Sequence, residues 1–433
     1  MCECATAVGS GVGFRFWQDD VNLGVQFDGG QLTSDGGLPW LVEAETTLGV
    51  CAALAACVPE WRRGGVRHSL ERLVRQRVFQ IACGYEDQDD ADRLRTDPAF
   101  KLACGRLPAS EPDLASQPTL SRLENAVDRH AVERLAEALA DLYSRERGRA
   151  GVPARILLDL DGTDDPVHGE QEGVAYHGYY REHMYHPLLV FDGDTGHLIT
   201  AVLRPGDVHG SAFVVLVLRR LLRKLRAAWP AVPVELRADS GFAIPRLYAW
   251  CEANAVDSTI GLIPNPVLER LAGEAPYQAA SWPHPRRVVF KAEILLKGPN
   301  TRFVVTSRTD DPLAVYDRYV DRGAAENWIK DFKNALCGDR LSDHRFWANA
   351  FRLLLHAAAY WPLDHLRRWL LAAQAARLQL DTLPLRLVKL GGWIRESTRF
   401  TIPDVCVHLS AHHPGLDLRL LLARARRIHS WHW

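Results

Sequence analysis

The sequence lacks an excess of charge of either sign. Its 52 lysine and arginine residues are balanced by 53 aspartate and glutamate residues, which gives a formal net charge of −1. The whole molecule therefore offers no electrostatic case for binding nucleic acid, and any such interface must be local. Lysine itself is scarce, because 7 of the 52 basic residues are lysine and the other 45 are arginine. Arginine suits bidentate phosphate contact, but its frequency alone does not show one.

Long apolar runs and a disulfide framework are also missing. The longest apolar stretches, such as Ala212 to Leu218, are far too short to span a membrane, so no membrane association is expected. Nine cysteines, scattered from Cys2 to Cys406, are typical of reduced thiols. No signal-peptide pattern opens the sequence, and a cytoplasmic location is predicted. With 47% apolar residues, the 433 residues can bury a core in two to four compact units.

The apolar periodicity divides the chain into three regions. Residues 1–150 and 341–433 are predicted to be mainly helical, and residues 151–340 change to an α/β pattern. The last region is basic, with 13 Lys/Arg against 6 Asp/Glu, a balance of +7. Within the first region, Ser121 and Glu124 predict a capping box that opens a long helix running through Leu142.

Several basic residues could contact DNA or simply coat the surface. One group lies on a predicted helix or just before it, and is expected either to contact end-sequence DNA or to form a solvated face: Arg67, Arg72, Arg75 and Arg77. A second group, near the end of the chain, contacts either DNA or a partner subunit: Arg424, Arg426 and Arg427. For any single one of the first group, the solvated face is the favoured interpretation.

The middle region alternates between strand and helix signals. Strands are predicted at 155–160, 187–192, 197–203, 234–238 and 258–263, and helices at 211–226 and 244–254. A stretch at about 264–310 predicts a small antiparallel insertion, and a further helix follows it. The order β-β-β-α-β-α-β, insertion, α is that of a ribonuclease H-like core. The predicted fold class is therefore α/β, a ribonuclease H-like core with a β-rich insertion, flanked by helical N- and C-terminal regions.

Three carboxylates lie at distinctive places in this order. Asp161 closes the first strand, Asp239 closes the fourth, and Glu326 lies on the helix after the insertion. Because the first and fourth strands of such a sheet are neighbours, the three side chains are expected to converge at one edge. Carboxylate oxygens suit Mg²⁺, and two such ions would activate an attacking water or 3′-hydroxyl and stabilise the leaving oxygen.

Asp159 is an alternative to Asp161 as the first carboxylate. The two residues share one face of the predicted strand because side chains alternate with a period of two. Asp161 is favoured because it ends the strand and precedes Gly162-Thr163, where the backbone permits close approach. A single aspartate at a strand end is more often a turn residue than a ligand, so the prediction depends on all three positions fitting one topology.

A helical face carries the remaining candidates. On a helix, Tyr319, Arg322, Glu326 and Lys333 fall at about 0°, −60°, −20° and −40°, an arc of roughly 60°. One aromatic residue, two cations and one carboxylate on one face suit a phosphate backbone with a bound metal ion better than a protein core. The alternative is a solvated face on which Arg322 and Glu326 form an i,i+4 pair.

Three histidines lie close together in the sequence, at His177, His183 and His186. Such a group could bind zinc, but no cysteine or second cluster completes four ligands. Chance spacing in a chain with 17 histidines is the favoured interpretation.

These residues together resemble a known family, the DDE transposases of bacterial insertion sequences. Tyr319, Arg322, Glu326 and Lys333 match the Tyr-x2-Arg-x3-Glu-x6-Lys signature of one group at every interval. Asp161-Gly162-Thr163 and the segment 237–242 resemble its first and second aspartate motifs. Further similar blocks are GYEDQDDADRLRTDP (84–98), SQPTLSRLEN (116–125) and HGEQEG (168–173).

The resemblance implies cut-and-paste DNA transposition. Asp161, Asp239 and Glu326 would be catalytic and would bind two Mg²⁺ or Mn²⁺ ions. Tyr319, Arg322 and Lys333 would hold phosphates, and Lys330 is assigned to the same DNA contact. Trp282 is the candidate for stacking on a flipped base, with a core or rim role equally open. The expected partners are terminal inverted repeats bound by a helical N-terminal region, target DNA and a second copy of the chain, in the bacterial nucleoid.

Two other functions fit the same fold. A metal-dependent nuclease that does not transpose would cut DNA without joining ends. A domesticated DNA-binding protein would not cut at all, although the presence of all three carboxylates argues against it.

Overall fold

The computed structural model describes residues 29–270, 275–295, 298–374, 379–399 and 402–409. The basic group Arg424, Arg426 and Arg427 lies outside these residues. After a two-residue strand, β1 (Leu32–Thr33), the first part of the chain is helical, as predicted. Its helices are α1 (Leu38–Leu48), α2 (Val50–Ala55), α3 (Leu70–Ala82), α4 (Ala91–Leu94), α5 (Pro98–Ala103), α6 (Gln117–Asn125) and α7 (Arg129–Gly148).

The capping box predicted at Ser121 and Glu124 is wrong. Both residues lie inside α6, and α7 begins separately, with the Asp128 carboxylate accepting a hydrogen bond from the Ala131 backbone N–H at 2.8 Å. Glu124 is fully buried and its carboxylate joins the guanidinium groups of Arg77 and Arg352. Arg77 therefore faces neither DNA nor solvent, because it is 0% exposed.

The middle region forms the predicted sheet. Its strands are β2 (Ile156–Gly162), β6 (Leu188–Asp192), β7 (Leu198–Val202), β8 (Val234–Ala238) and β9 (Val256–Leu262). They are ordered β7-β6-β2-β8-β9; β2, β8 and β9 are parallel to one another, and β6 is antiparallel to both β2 and β7. This is the ribonuclease H-like arrangement. Helix α8 (Val214–Ala228) connects β7 to β8, and helix α9 (Pro245–Ala253) connects β8 to β9.

A small sheet that the sequence did not predict lies between β2 and β6. Its strands are β3 (Asp165–Pro166), β4 (Ala175–His177) and β5 (Glu182–Tyr185), in the order β3-β5-β4. All three are short, and their pattern contains few consecutive apolar residues, so the period-two signal of a strand is weak.

The insertion expected at about 264–310 is antiparallel and extends the main sheet. It consists of helix α10 (Pro266–Arg270) and strands β10 (Ala275–Tyr277), β11 (Arg286–Leu295) and β12 (Gly298–Thr306). Strand β12 pairs with β9, so the main sheet has eight strands. Helix α11 (Pro312–Val320) packs on this part through a small apolar cluster of Val289, Val304, Val315 and Tyr316.

The chain continues as α12 (Gly323–Leu336), α13 (Phe346–Gln374) and α14 (Thr382–Leu387) and then forms a hairpin, β13 (Gly392–Arg399) and β14 (Ile402–Leu409), that the helical prediction did not include. Strand β1 pairs with β13. Helix α13 is buried on all sides from Ala348 to Asp364 and contacts α1, α3, α7 and β7. No helix within the described ranges combines the length and apolarity needed to cross a lipid bilayer.

Candidate active site

The register of two parallel strands brings two of the predicted carboxylates together. Leu160 of β2 pairs with Ala238 of β8, so Asp161 and Asp239 follow as neighbours at the same edge of the sheet. Side chains at equal register in adjacent strands point to the same face. Asp239 also caps a 3₁₀ turn, Ser240–Phe242, where its carboxylate accepts a hydrogen bond from the Gly241 N–H at 2.9 Å.

Asp161 lies in a strongly acidic environment that one arginine partly neutralises. Its Oδ2 is 3.0 Å from Nη1 of Arg322, and both side chains are 13% exposed. Burial raises the pKa of Asp161 to about 6, the charges of Asp239 and Glu326 add to this effect, and Arg322 opposes it. The charges of Asp239 and Glu326 thus both reach Asp161, and like charges disfavour the ionised form of a carboxyl group.

Asp159, the alternative first carboxylate, is engaged elsewhere. Its two oxygens accept hydrogen bonds from Nε and Nη2 of Arg237 at 2.7 and 2.6 Å, and it is 0% exposed. A bidentate arginine satisfies a buried carboxylate well. Of the two aspartates, Asp161 is the one that shares its surroundings with Asp239 and Glu326.

The same sheet face carries ion pairs that sequence reasoning missed. Glu235 lies two residues before Arg237 and pairs with Arg318 of α11 and with Arg308, while Arg237 Nη1 donates to the Arg318 backbone oxygen at 2.6 Å. Charged residues therefore alternate with apolar ones in β8, from Val234 to Asp239. This alternation is the sequence feature that could have predicted the ion pairs, because a central strand of an α/β sheet is usually apolar on both faces.

The prediction of one continuous helix from Tyr319 to Lys333 is wrong in one respect. Helix α11 ends at Val320 and α12 begins at Gly323. Between them the backbone tightens, because the Arg322 N–H donates to the Tyr319 oxygen at 3.1 Å and the Ala325 N–H to the Arg322 oxygen at 2.8 Å. These i to i−3 bonds are of the 3₁₀ type. Glu326 is exposed in the first turn of α12.

Tyr319 is held against the sheet next to Asp239. A Cβ added at Gly261 of β9 would clash with the Tyr319 hydroxyl and would lie 3.1 Å from the Ser240 nitrogen. Glycine at position 261 therefore lets the phenol approach the backbone that follows Asp239. Burial raises the pKa of Tyr319, which keeps the hydroxyl protonated.

Lys333 lies beside a second group of acids, and Lys330 is exposed on α12. Lys333 Nζ is 3.1 Å from Oδ1 of Asp164 and 3.6 Å from Oδ2 of Asp339. The adjacent Asp165 is 0% exposed, and burial together with the charge of Asp339 raises its pKa well above the usual range. Lys333 therefore places a positive charge among these acids, close to the end of β2.

Trp282, which was predicted either to stack on a base or to lie in the core, takes the second role in this structure. It is 5% exposed. Its ring packs edge-on against Tyr248 and Tyr277, at 5.4 and 5.6 Å between centroids, and the Arg286 guanidinium lies 5.2 Å from it. These contacts anchor the insertion to α9.

The carboxylates of Asp161, Asp239 and Glu326 suit a divalent cation by their chemistry, but they are not close enough together in this structure to hold one ion. All three supply hard oxygen donors, and a bound cation would relieve the repulsion that Asp161 experiences. In the described parts of the chain, no three histidine, cysteine, aspartate or glutamate side chains are grouped closely enough to hold one ion. Arg322 instead neutralises the Asp161 carboxylate.

Replacing Asp161 with asparagine is expected to stabilise the metal-free protein at neutral pH. The folded state retains the Asp161 proton up to about pH 6, whereas the unfolded chain loses it near pH 4. Wild-type stability therefore falls as the pH rises from about 4 to 6, and the variant avoids a cost of about 2–3 kcal/mol above pH 6. Urea unfolding in EDTA at pH 4 and pH 7.5 measures the difference.

A control for that measurement is Asp317→Asn, which removes one negative charge from an exposed position on α11. It should leave the free energy of unfolding nearly unchanged at both pH values. If Asp161→Asn were as stable as wild type at pH 7.5, the acidic environment described for Asp161 would be incorrect.

Comparisons with known proteins identify the family. A model of the transposase DDE domain, group 1, matches residues 17–276 and 269–430. No curated protein matches the chain. Among solved structures, a piggyBac transposase synaptic complex with hairpin DNA is similar at 12% identity and a TM-score of 0.45, covering 82% of this chain and 79% of that chain. Since the family model matches most of the sequence, the chain belongs to the transposases with a group 1 DDE domain.

Proposed function

We propose that this transposase belongs to a bacterial insertion sequence and moves it by cut-and-paste transposition. It would bind the terminal inverted repeats of the element, cleave the strand at each end and join the 3′-hydroxyl to target DNA. The observation that supports this best is the register of β2 and β8, which makes Asp161 and Asp239 neighbours while Glu326 contributes to the charge around Asp161.

Asp161, Asp239 and Glu326 are the residues that would hold the divalent ions, Mg²⁺ or Mn²⁺. Two such ions would supply an activated oxygen nucleophile and charge stabilisation for the leaving oxygen. Strands β2 and β8 give a rigid base for the two aspartates, and the Asp159–Arg237 pair fixes these strands against α11. Glu326 lies on a separate helix, and its side chain is exposed and thus able to turn toward the aspartates.

Basic and aromatic residues around the carboxylates would position the DNA. Arg322 and Lys333 are paired with Asp161 and Asp164, and we infer that both cations exchange these carboxylates for phosphate oxygens. Tyr319 would donate a hydrogen bond from its hydroxyl to a phosphate oxygen, and Lys330 would contact the DNA backbone further along α12. Such contacts orient the substrate but carry no sequence information.

Sequence reading is assigned to the helical N-terminal region, within residues 1–150. The protein is expected to act as a homodimer on paired DNA ends and to be associated with the bacterial nucleoid in the cytoplasm. Both expectations depend on the proposed transposition. A homodimer is expected because one copy of the active site would act at each end of the element, and nucleoid association is expected because the substrate is chromosomal DNA.

DNA from either side of the gene provides the test. A duplex that carries the inverted repeats flanking the gene is incubated with protein and Mg²⁺, together with a duplex in which the repeats are scrambled. Nicks at the repeat ends, followed by joined products with a target plasmid, are expected only with the native repeats. Cutting of both duplexes without joining would indicate a nuclease, and binding without cutting would indicate a DNA-binding protein.

A further inference from the structure

The hairpin formed by β4 and β5 stands at the same sheet edge as Asp161 and Asp239. It is anchored to the chain that leaves β2, because Asp165 and Pro166 of β3 pair with Tyr185 and Met184 of β5. The hairpin also contacts the backbone at Gly162, the residue that follows Asp161. A Cβ added at Gly162 would lie 2.8 Å from Nε2 of His186, so the imidazole packs on the backbone at this position.

The tip of this hairpin presents a supported aromatic ring. Arg181 adopts a left-handed conformation, with φ of 62°, and its N–H donates to the His177 oxygen at 2.7 Å, which closes the turn. Tyr179 is 84% exposed. Its ring meets Tyr180 edge-on, with centroids 5.1 Å apart and planes at 85°.

Tyr180 connects the exposed ring to the anchored base of the hairpin. Its centroid lies 5.1 Å from that of His177 and 5.9 Å from that of His186. Burial, together with the charges of Asp164, Asp161 and Asp239, raises the pKa of Tyr180 to about 12. Tyr180 thus contacts His186, which packs on Gly162 next to Asp161, and the ring of Tyr179 projects from this position into solvent.

We propose that Tyr179 is a stacking platform for an unpaired base of the DNA next to the cleaved phosphodiester. The proposal rests on the proposed function, because the carboxylates determine where that phosphodiester lies. Exposing a large ring to water has a free-energy cost, whereas stacking a base on it contributes about 1–3 kcal/mol. Any base has a π-face, so this contact would be tolerant of sequence. Trp282 is buried against Tyr248 and Tyr277 and is not available for the role.

The test uses a terminal-repeat duplex with a three-nucleotide unpaired extension that carries 2-aminopurine, whose fluorescence is quenched on stacking. The variants are Tyr179→Ala, Tyr179→Trp and, as a matched control, Tyr176→Ala. Tyr176 is 54% exposed on the same hairpin and contacts His183. Affinity is compared for the extended duplex and for a fully paired duplex of the same repeat.

Tyr179→Ala is expected to lose the quenching and to weaken binding of the extended duplex by about 5- to 150-fold, with little change for the paired duplex. Tyr179→Trp and Tyr176→Ala should behave like wild type. Equal quenching in wild type and Tyr179→Ala would overturn the proposal while leaving the transposase function intact. Failure of the wild-type protein to prefer the native repeats over scrambled ones would contradict the proposed function instead.

Discussion

Asp239→Ala is expected to retain binding to the terminal repeats and to reduce strand nicking by roughly 10³-fold or more, as expected for loss of a metal ligand that stabilises a transition state. Asp239 directly follows the register pair Leu160–Ala238 and lies beside Asp161. Its hydrogen bond to Gly241 is local, so the fold should survive. Gel-shift and nicking assays on the same end duplex, with Mg²⁺, separate the two effects.

Two further variants distinguish a chemical role from a capping role. Asp239→Asn keeps an oxygen that can accept the Gly241 hydrogen bond but removes the charge, so its nicking should be nearly as slow as that of Asp239→Ala. Asp128→Ala removes a comparable cap from α7, where Asp128 accepts from Ala131, and should nick at the wild-type rate. Undiminished nicking by Asp239→Ala would show that the site has been assigned to the wrong residues.

Glu124→Gln is expected to destabilise the protein by about 3–5 kcal/mol, because it leaves two buried guanidinium groups without a counter-charge. Glu124 Oε1 is 2.8 Å from Arg77 and Oε2 is 2.9 Å from Arg352, and all three side chains are at most 4% exposed. Burial alone would raise the pKa of Glu124, but the charges of Arg352 and Arg77 hold it below the usual range. Denaturant unfolding at neutral pH measures the loss.

An exposed ion pair on α3, the helix that carries Arg77, provides the control. Glu71 and Arg75 are an i,i+4 pair at 3.2 Å, with Glu71 49% exposed, and Glu71→Gln should cost no more than about 0.5 kcal/mol. If Glu124→Gln and Glu71→Gln had equal effects, the buried group would not be joining α3, α6 and α13 as described.

The part of the fold that sequence reasoning could predict is the part where periodicity and strand ends carry the signal. The strands β2 and β8 reach or precede the turn-forming sequences Asp161-Gly162 and Asp239-Ser240-Gly241, so their bounds were predicted within two residues. Their adjacency followed from the order of elements. The role of Glu124 could not be predicted, because Ser-x-x-Glu is the same pattern in a capping box and inside a helix whose glutamate turns inward.

Other features depended on tertiary contacts that local patterns do not contain. The break between α11 and α12 involves Asp321 and Arg322, which both keep right-handed helical dihedral angles, so periodicity gave no sign of it. The hairpin β4–β5 has polar and aromatic residues on both faces, and its stability comes from β3 and His186. The β13–β14 hairpin pairs with β1, more than 350 residues earlier in the chain.

Helix α13 joins two layers of the molecule. It is buried against the N-terminal helices α1, α3 and α7 and against β7 of the main sheet, so the two layers share one packed core. A protein shortened before Phe346 would uncover both surfaces at once. Under the proposed function, the helices that would bind DNA and the sheet that carries Asp161 and Asp239 are therefore held together by one buried helix.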